Sequence, residues 1–499
     1  MKLSPMATVT AALPREPRPR SRSRRLAARL GALTGLLAIL AVGPGRADTL
    51  PPLQDYVGTY ADGPGRTLEL VAGDELFAVE DEAKYRLQRV GPDAFVNAGG
   101  QRIAFPRNAA GQVSGFELGG ERHARLSTTV AAATVALLRP RPAGQDAPAD
   151  YHYRPPADLH DGIAVGDIAA SDLGLASAEA IVRGVLDGSY PDVDSVLLYQ
   201  RGHLVLEEYF YGYSAERTHQ LRSATKSVVG ALAGIAVDRG ALPGTDVPVP
   251  PLLGYSRLAH ADPRKSAITL NDLLTMSSGL DCDDHNANSP GREEAIYERP
   301  DWVKAVLDLP LVAEPGRHGA YCSGGVAVVG RATERAVQQP LPDFAQARLF
   351  GPLGMARSDW RWNYALDNTN REYAQIHLRP RDMLKFGLLY AQGGRWQGQQ
   401  LISASWVEAS LQRQSEVEGT DYGYFWWRPW LNVPTPRGAQ RVTMNAAQGN
   451  GGQKIYLVPQ YQLVAVFTGS NYNAEGTPPN RIMSRIVLPA LIAAAVPAH

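Results

Sequence analysis

Between Leu50 and Leu126 the chain alternates short apolar or β-branched runs with turn residues. Tyr56–Tyr60, Thr67–Val71, Leu76–Val79, Arg86–Val90, Ala94–Val96, Arg102–Phe105 and Val113–Leu118 each have the length and period of a short strand. Turn clusters such as Asp62-Gly63-Pro64-Gly65, Gly91-Pro92-Asp93, Gly99-Gly100 and Gly119-Gly120 separate them. Glycine supplies the positive φ that tight turns need, and proline presets their first corner. The pattern predicts a small antiparallel β-domain over 48–130, either a sandwich or a barrel. Prolines at 140, 142, 148, 155 and 156 then mark 131–158 as a stiff, extended linker.

From 159 to 499 the periodicity is mixed. Ser177–Leu186 reads as a helix, and Ser195–Tyr199 with Leu204–Tyr209 as a hairpin turned at Arg201-Gly202. Ser223–Val237 carries apolar residues at Val228, Leu232, Ile235 and Ala236, the spacing of a buried helix face. Helix-like and loop segments fill roughly 265–440. Ile455–Val458 and Leu463–Thr468 read as two buried strands joined at Pro459-Gln460, and Arg481–Ala495 as a closing helix. Strands at both ends with helices between them predict an α+β domain whose sheet is assembled from both ends of the segment.

Composition changes this picture little, but the distribution of charge changes it more. The 499 residues include 44% hydrophobic and 20% charged side chains, ordinary values for a folded protein. Fifty basic and fifty acidic residues cancel, which argues against a nucleic-acid-binding surface, because neutralising phosphates takes a clustered basic excess. Residues 1–47 hold Lys2 and eight arginines against the single Glu16, a formal charge of +8 that leaves −8 on the rest. The arginine-rich stretch runs into an uncharged apolar run, Leu30–Val42, and then Gly45-Arg46-Ala47. This predicts a cleavable export signal ending after Ala47, by the Sec or Tat route, and a periplasmic or secreted product. The apolar run is shorter than the roughly 20 residues that span a bilayer, so no membrane span is expected after cleavage. The two cysteines, Cys282 and Cys322, would then meet an oxidising compartment and could form one disulfide, the alternative being two inert buried thiols.

Three segments could carry chemistry. Ser223-Ala224-Thr225-Lys226 places a serine and a lysine three apart at the start of the predicted helix, on one face and within hydrogen-bond reach. Tyr321-Cys322-Ser323 precedes an apolar helix-like run, and a lysine cation near Tyr321 would favour phenolate and a general-base role. Gln448-Gly449-Asn450-Gly451-Gly452-Gln453 enters the strand at Ile455, where glycines permit close backbone approach and an N–H could pair with that of Ser223 to hold an oxyanion. Gly-x-Ser-x-Gly, His-Glu-x-x-His and Walker-type loops are missing from the sequence. Asp281-Cys282-Asp283-Asp284-His285 lacks structural-zinc spacing and reads as a solvated loop, so no metal or organic cofactor is implied.

Together these segments resemble the serine β-lactamase and penicillin-binding-protein superfamily, in its class-C-like and carboxylesterase branch related to 6-aminohexanoate-dimer hydrolase. Thr269–Leu280 (TLNDLLTMSSGL) and Arg379-Pro380-Arg381-Asp382-Met383 add to the likeness, which covers about 160–495. Within the β-domain, Tyr56–Tyr60 and Asn108–Phe116 resemble small lipocalin-like modules attached to some serine hydrolases. The first resemblance implies a β-lactamase-like fold with a mainly antiparallel sheet, flanking helices and a helical subdomain. It implies Ser223 as acylated nucleophile, Lys226 and Tyr321 as the base system, and the N–H groups of Ser223 and Asn450 as oxyanion donors. Ser323, Gln448 and Gly449 would contact a small ester or amide substrate. Superfamily members that act on β-lactams or cell-wall peptides carry Lys-Thr-Gly or His-Thr-Gly at the third motif, whereas Ala447-Gln448-Gly449 stands here. That departure favours an ester or amide over a D,D-peptidase or β-lactamase substrate. A catalytically idle binding or sensor module is the reading from another class. Nothing in the sequence sets an oligomeric state.

Overall fold

The computed structural model describes residues 50–495, except 64, 81–82, 98, 142–144, 146, 148, 150, 256, 364–374 and 474–475. The expected export signal over 1–47 lies outside the described residues.

Eight short strands form a closed antiparallel barrel: β1 (Gly58–Ala61), β2 (Thr67–Ala72), β3 (Leu76–Glu80), β4 (Ala83–Gly91), β5 (Ala94–Val96), β6 (Arg102–Ala104), β7 (Gly115–Leu118) and β8 (Glu121–Ser127), with β8 pairing back onto β1. Between the sandwich and the barrel, the barrel is what forms. An eight-stranded barrel is just wide enough to be filled by side chains. Here Tyr56, Tyr60, Phe95, Phe105 and Phe116 fill it, with ring centroids 4.8 to 6.4 Å apart.

The segment expected to be an extended linker is a packed one. It opens with a short helix, Ala132–Ala136. Further on, the Tyr151 hydroxyl donates to Glu208, and the Tyr153 hydroxyl donates to the Val205 carbonyl at 2.9 Å.

The larger domain is α+β. Its sheet contains β9 (Val193–Gln200), β10 (His203–Tyr209), β11 (Ser415–Val417), β12 (Thr420–Tyr422), β13 (Trp427–Arg428), β14 (Asn445–Gly449), β15 (Gln453–Val458) and β16 (Leu463–Gly469). The spatial order is β10-β9-β16-β15-β14-β13-β12-β11, antiparallel throughout. Both ends of this domain therefore meet in the middle, where β9 pairs β16 with Leu197 opposite Val466.

Each face of this sheet covers its own core, so the central strands are apolar on both sides. On one face Leu197, Ile455, Leu457 and Val466 pack with the helices α2 (Thr225–Asp238), α3 (Ser323–Val337) and α4 (Pro380–Ala391). On the other, Val196, Leu198, Tyr456 and Phe467 pack with α1 (Gly174–Leu186) and a helical run over 478–494.

The Arg-Pro-Arg-Asp segment is scaffold. Arg381, at the start of α4, donates two hydrogen bonds to Glu207 on β10, at 2.8 and 2.6 Å, and one to the Ala157 carbonyl at 2.7 Å. Arg379 bridges buried Asp382 and Asp359. Removing Arg381 would strip buried Glu207 of its guanidinium partner, at a cost of about 3–5 kcal/mol.

Candidate active site

A 3₁₀ turn, Arg222–Ala224, leads into α2. Arg222 has φ of 51°, left-handed backbone that costs a non-glycine residue about 1–2 kcal/mol. The turn leaves Ser223 half-buried at the head of α2, while almost all the rest of that helix is buried. Lys226 comes one turn later, 1% exposed, and its Nζ donates to Ser223 Oγ at 3.0 Å.

Tyr321 lies just before α3 and is fixed through its neighbours. The Asp284 N–H donates to the Tyr321 carbonyl at 2.8 Å, the Ala320 N–H donates to the Met276 carbonyl at 2.8 Å, and Cys322 is bonded to Cys282. Its ring lies between His285, parallel at 5.3 Å, and Trp427, also at 5.3 Å. Lys226 Nζ sits 4.9 Å from the ring centroid. Burial pushes the Tyr321 phenol above its ordinary value, Lys226 and hydrogen bonding with Ser223 pull it down, and Asp284 pushes it up. The net direction is up. Lys226 favours the phenolate, as expected, and desolvation opposes it.

The glycine-rich segment closes the site through backbone contact. A Cβ on Gly449, the last residue of β14, would lie 2.1 Å from the Leu221 carbonyl oxygen. Only glycine lets that strand end approach the turn carrying Ser223 so closely. Asn450 follows, and its side chain is tied up with Asn473: Nδ2 donates to Asn473 Oδ1 at 2.6 Å, and the Asn473 N–H donates back at 3.0 Å. Gln453, fully buried, donates to the Asn450 carbonyl at 3.3 Å and the Gly469 carbonyl at 2.6 Å, and it accepts from the Gly469 N–H. It clamps the segment to β16.

Gln448 is not brought to the site by its side chain. Along β14, Ala447 packs in the core on the Ser223 side and Ala446 in the opposite one, so strand alternation turns Gln448 away with Ala446. There it accepts a hydrogen bond from Lys454, its cross-strand partner. Burial pushes the Lys454 ammonium down to about 7. Ser323 is 1% exposed at the first position of α3, and its N–H donates to Asp284 Oδ2 at 2.9 Å.

Asp284 is the residue that sequence reasoning missed. Burial and Glu293 push its carboxyl up to about 7, while Lys226 and hydrogen bonding with Ser323 pull it down. It is thus a buried acid within electrostatic reach of Lys226, at the back of the site. The signal was present in the pairing of its neighbour Cys282 with Cys322, which brings 284 beside Tyr321. The aromatic stretch Tyr422–Trp427 divides: Tyr422, Tyr424, Phe425 and Trp426 are core, and Trp427 packs on Tyr321.

A sheet formed from both ends of the domain, a serine and lysine at the head of a buried helix and a tyrosine over that lysine define a serine-hydrolase architecture of the β-lactamase and penicillin-binding-protein type. The chain belongs to the beta-lactamase family, whose sequence model matches residues 179–483. The 6-aminohexanoate-dimer hydrolase of Paenarthrobacter ureafaciens is 26% identical over 319 residues, 58% of this chain and 78% of that enzyme. The lovastatin esterase of Penicillium rubens is 32% identical over 139 residues, 27% of this chain and 33% of that one. A candidate 6-aminohexanoate-dimer hydrolase from Bacillus anthracis matches in structure with a TM-score of 0.51 at 19% identity, covering 70% of this chain and 90% of that one. These relatives are hydrolases, and this chain is a serine hydrolase with esterase and amidase relatives. Among the described residues no helix is long and apolar enough to cross a membrane.

Proposed function

We propose that this protein is an exported hydrolase, periplasmic or secreted, that cleaves a small ester or amide through an acyl-enzyme on Ser223. The observation that carries the reading is the 3.0 Å contact from Lys226 Nζ to Ser223 Oγ beneath the Tyr321 ring. In the proposed mechanism Tyr321, held toward phenolate by the Lys226 cation, takes the Ser223 proton as Oγ attacks the carbonyl carbon. Tyr321 then returns a proton to the departing alcohol or amine, and water repeats the sequence on the acyl-enzyme. The N–H groups of Ser223 and Asn450 hold the oxyanion, acting where charge develops.

Ester or amide is favoured as substrate class because Ala447 and Gly449 are the β14 residues on the serine side, and Lys454 is turned to the opposite face. The cation that would hold a β-lactam or peptide carboxylate at that strand is therefore not supplied by it. The likeness to a 6-aminohexanoate-dimer hydrolase and an esterase supports the same class.

An active-site fluorophosphonate should label wild-type protein at Ser223 and leave Ser223→Ala unlabelled; labelling that survives the substitution refutes the assignment. Tyr321→Phe should lower kcat for p-nitrophenyl esters by about 10²–10⁴-fold with the fold intact. Turnover of nitrocefin or D-Ala-D-Ala peptides in preference to esters and aminohexanoate dimer would overturn the substrate class.

A further inference from the structure

The barrel meets the larger domain at the turn that carries Ser223. Tyr85, near the start of β4, accepts a hydrogen bond from the Arg222 guanidinium. Its ring also stacks on Tyr472, centroids 4.9 Å apart and planes at 30°. The guanidinium lies over both rings, 5.6 Å from the Tyr85 centroid and 4.9 Å from that of Tyr472. Asn471, the neighbour of Tyr472, pairs with Gly451 across an isolated bridge, and the Tyr472 ring edge would lie 2.6 Å from a Cβ at Gly451. Arg222 Cβ stands 3.0 Å from where a Cβ on Gly449 would be. One barrel side chain thus bears, through Arg222 and Tyr472, on both segments proposed to hold the oxyanion.

Arg222 is the residue in left-handed backbone immediately before Ser223. A non-glycine residue keeps such a conformation only where its surroundings over-determine it. Those surroundings are a hydroxyl and two aromatic faces, and the hydroxyl and one face come from the barrel. The barrel strand is itself anchored. The adjacent Lys84, 5% exposed, ion-pairs with Asp192 at 2.5 Å, donates to the Leu137 carbonyl at 3.0 Å and lies over the Tyr211 ring at 4.2 Å.

We infer that the barrel is a working part of the active site: Tyr85 is a positioning residue that clamps, through Arg222, the turn presenting Ser223, and so governs how fast Ser223 is acylated. The inference rests on the Ser223 acyl-enzyme reading. It gives the β-domain a role in the reaction beyond that of an appended module.

The test uses the full chain as wild type, Tyr85→Phe, Arg222→Ala and the double variant. Three quantities are read: the second-order rate of Ser223 labelling by fluorophosphonate, kcat and KM for acetyl and octanoyl p-nitrophenyl esters, and the thermal midpoint. A clamp requires Tyr85→Phe to slow labelling and kcat by about tenfold, equally for both esters and with KM little changed, because displacing a nucleophile affects the chemical step. The thermal midpoint should stay at the wild-type value. The double variant should be no slower than Arg222→Ala, since residues acting as one unit do not add. Wild-type labelling rates in Tyr85→Phe overturn the proposal. So does a loss that tracks the thermal midpoint, one that adds in full to that of Arg222→Ala, or one confined to the octanoyl ester. Wild-type protein that fails to label at Ser223 overturns the acyl-enzyme reading, and this proposal with it.

Discussion

Asp284 holds a proton more tightly in the folded chain than an exposed aspartate does, because burial and Glu293 raise its carboxyl to about 7. A carboxyl raised on folding stabilises the native state fully below its unfolded value of about 3.9, and that contribution is lost as pH climbs through about 7. Asp284→Asn removes this titration and keeps an oxygen for the Ser323 N–H. The thermal midpoint of the variant should therefore fall less than that of wild type between pH 4 and pH 8. Its ester turnover should drop above about pH 7, where wild-type Asp284 is ionised and its charge faces Lys226. Parallel midpoint curves, or unchanged turnover, would exclude this role. Ser223, Lys226 and Tyr321 were legible in the sequence because their chemistry comes in short motifs. Asp284 was not, since its partner is 39 residues away and nothing local distinguishes it from an exposed loop acid.

At the scale of elements, legibility followed hydrophobicity. The strands expected at Ile455–Val458 and Leu463–Thr468 form as Gln453–Val458 and Leu463–Gly469, and the helix expected from Ser223 starts at Thr225 after its 3₁₀ turn. Strand β14, Asn-Ala-Ala-Gln-Gly, has no β-branched or aromatic residue, and backbone pairing with β15 makes it a strand. The hairpin Trp430–Thr435 with Gly438–Thr443 was read as helix or loop for want of a strong alternating pattern. Because β14 could not be seen, neither could the face its residues take, which is why Gln448 was assigned to the substrate. Gly449→Ala tests this element directly. The new Cβ would meet a carbonyl oxygen at 2.1 Å, so β14 or the Ser223 turn must move. A shift of that order should lower kcat/KM by about 10²-fold, with about 1–3 kcal/mol lost in stability from overpacking. Activity within a few-fold of wild type would mean that the strand end does not set the site.

For the whole molecule, the bond between Cys282 and Cys322 connects stability to reactivity. It closes a 40-residue loop, worth about 4 kcal/mol on loop entropy, and it holds the Asp284 segment against the backbone of Tyr321. Reduction, or Cys282→Ala with Cys322→Ala, should lower the thermal midpoint and also slow fluorophosphonate labelling in the fraction that stays folded. A reduced protein with unchanged labelling would separate the two effects and leave the bond a purely structural brace. A disulfide at this position suits the oxidising compartment that the proposed export signal implies.

The pairing of β9 with β16 also sets an order of assembly. The barrel closes within a local stretch of sequence and can form as soon as β8 has been made. The larger sheet cannot, because its inner strand β9 waits more than 260 residues for β16, and contacts this distant in sequence form slowly. Until then a strand with an apolar centre, Val196-Leu197-Leu198, stands with an open edge, the kind of surface that recruits other chains. A chain ending before Leu463 should accordingly aggregate while its barrel folds, so strand β16 acts as the lock on a half-built domain.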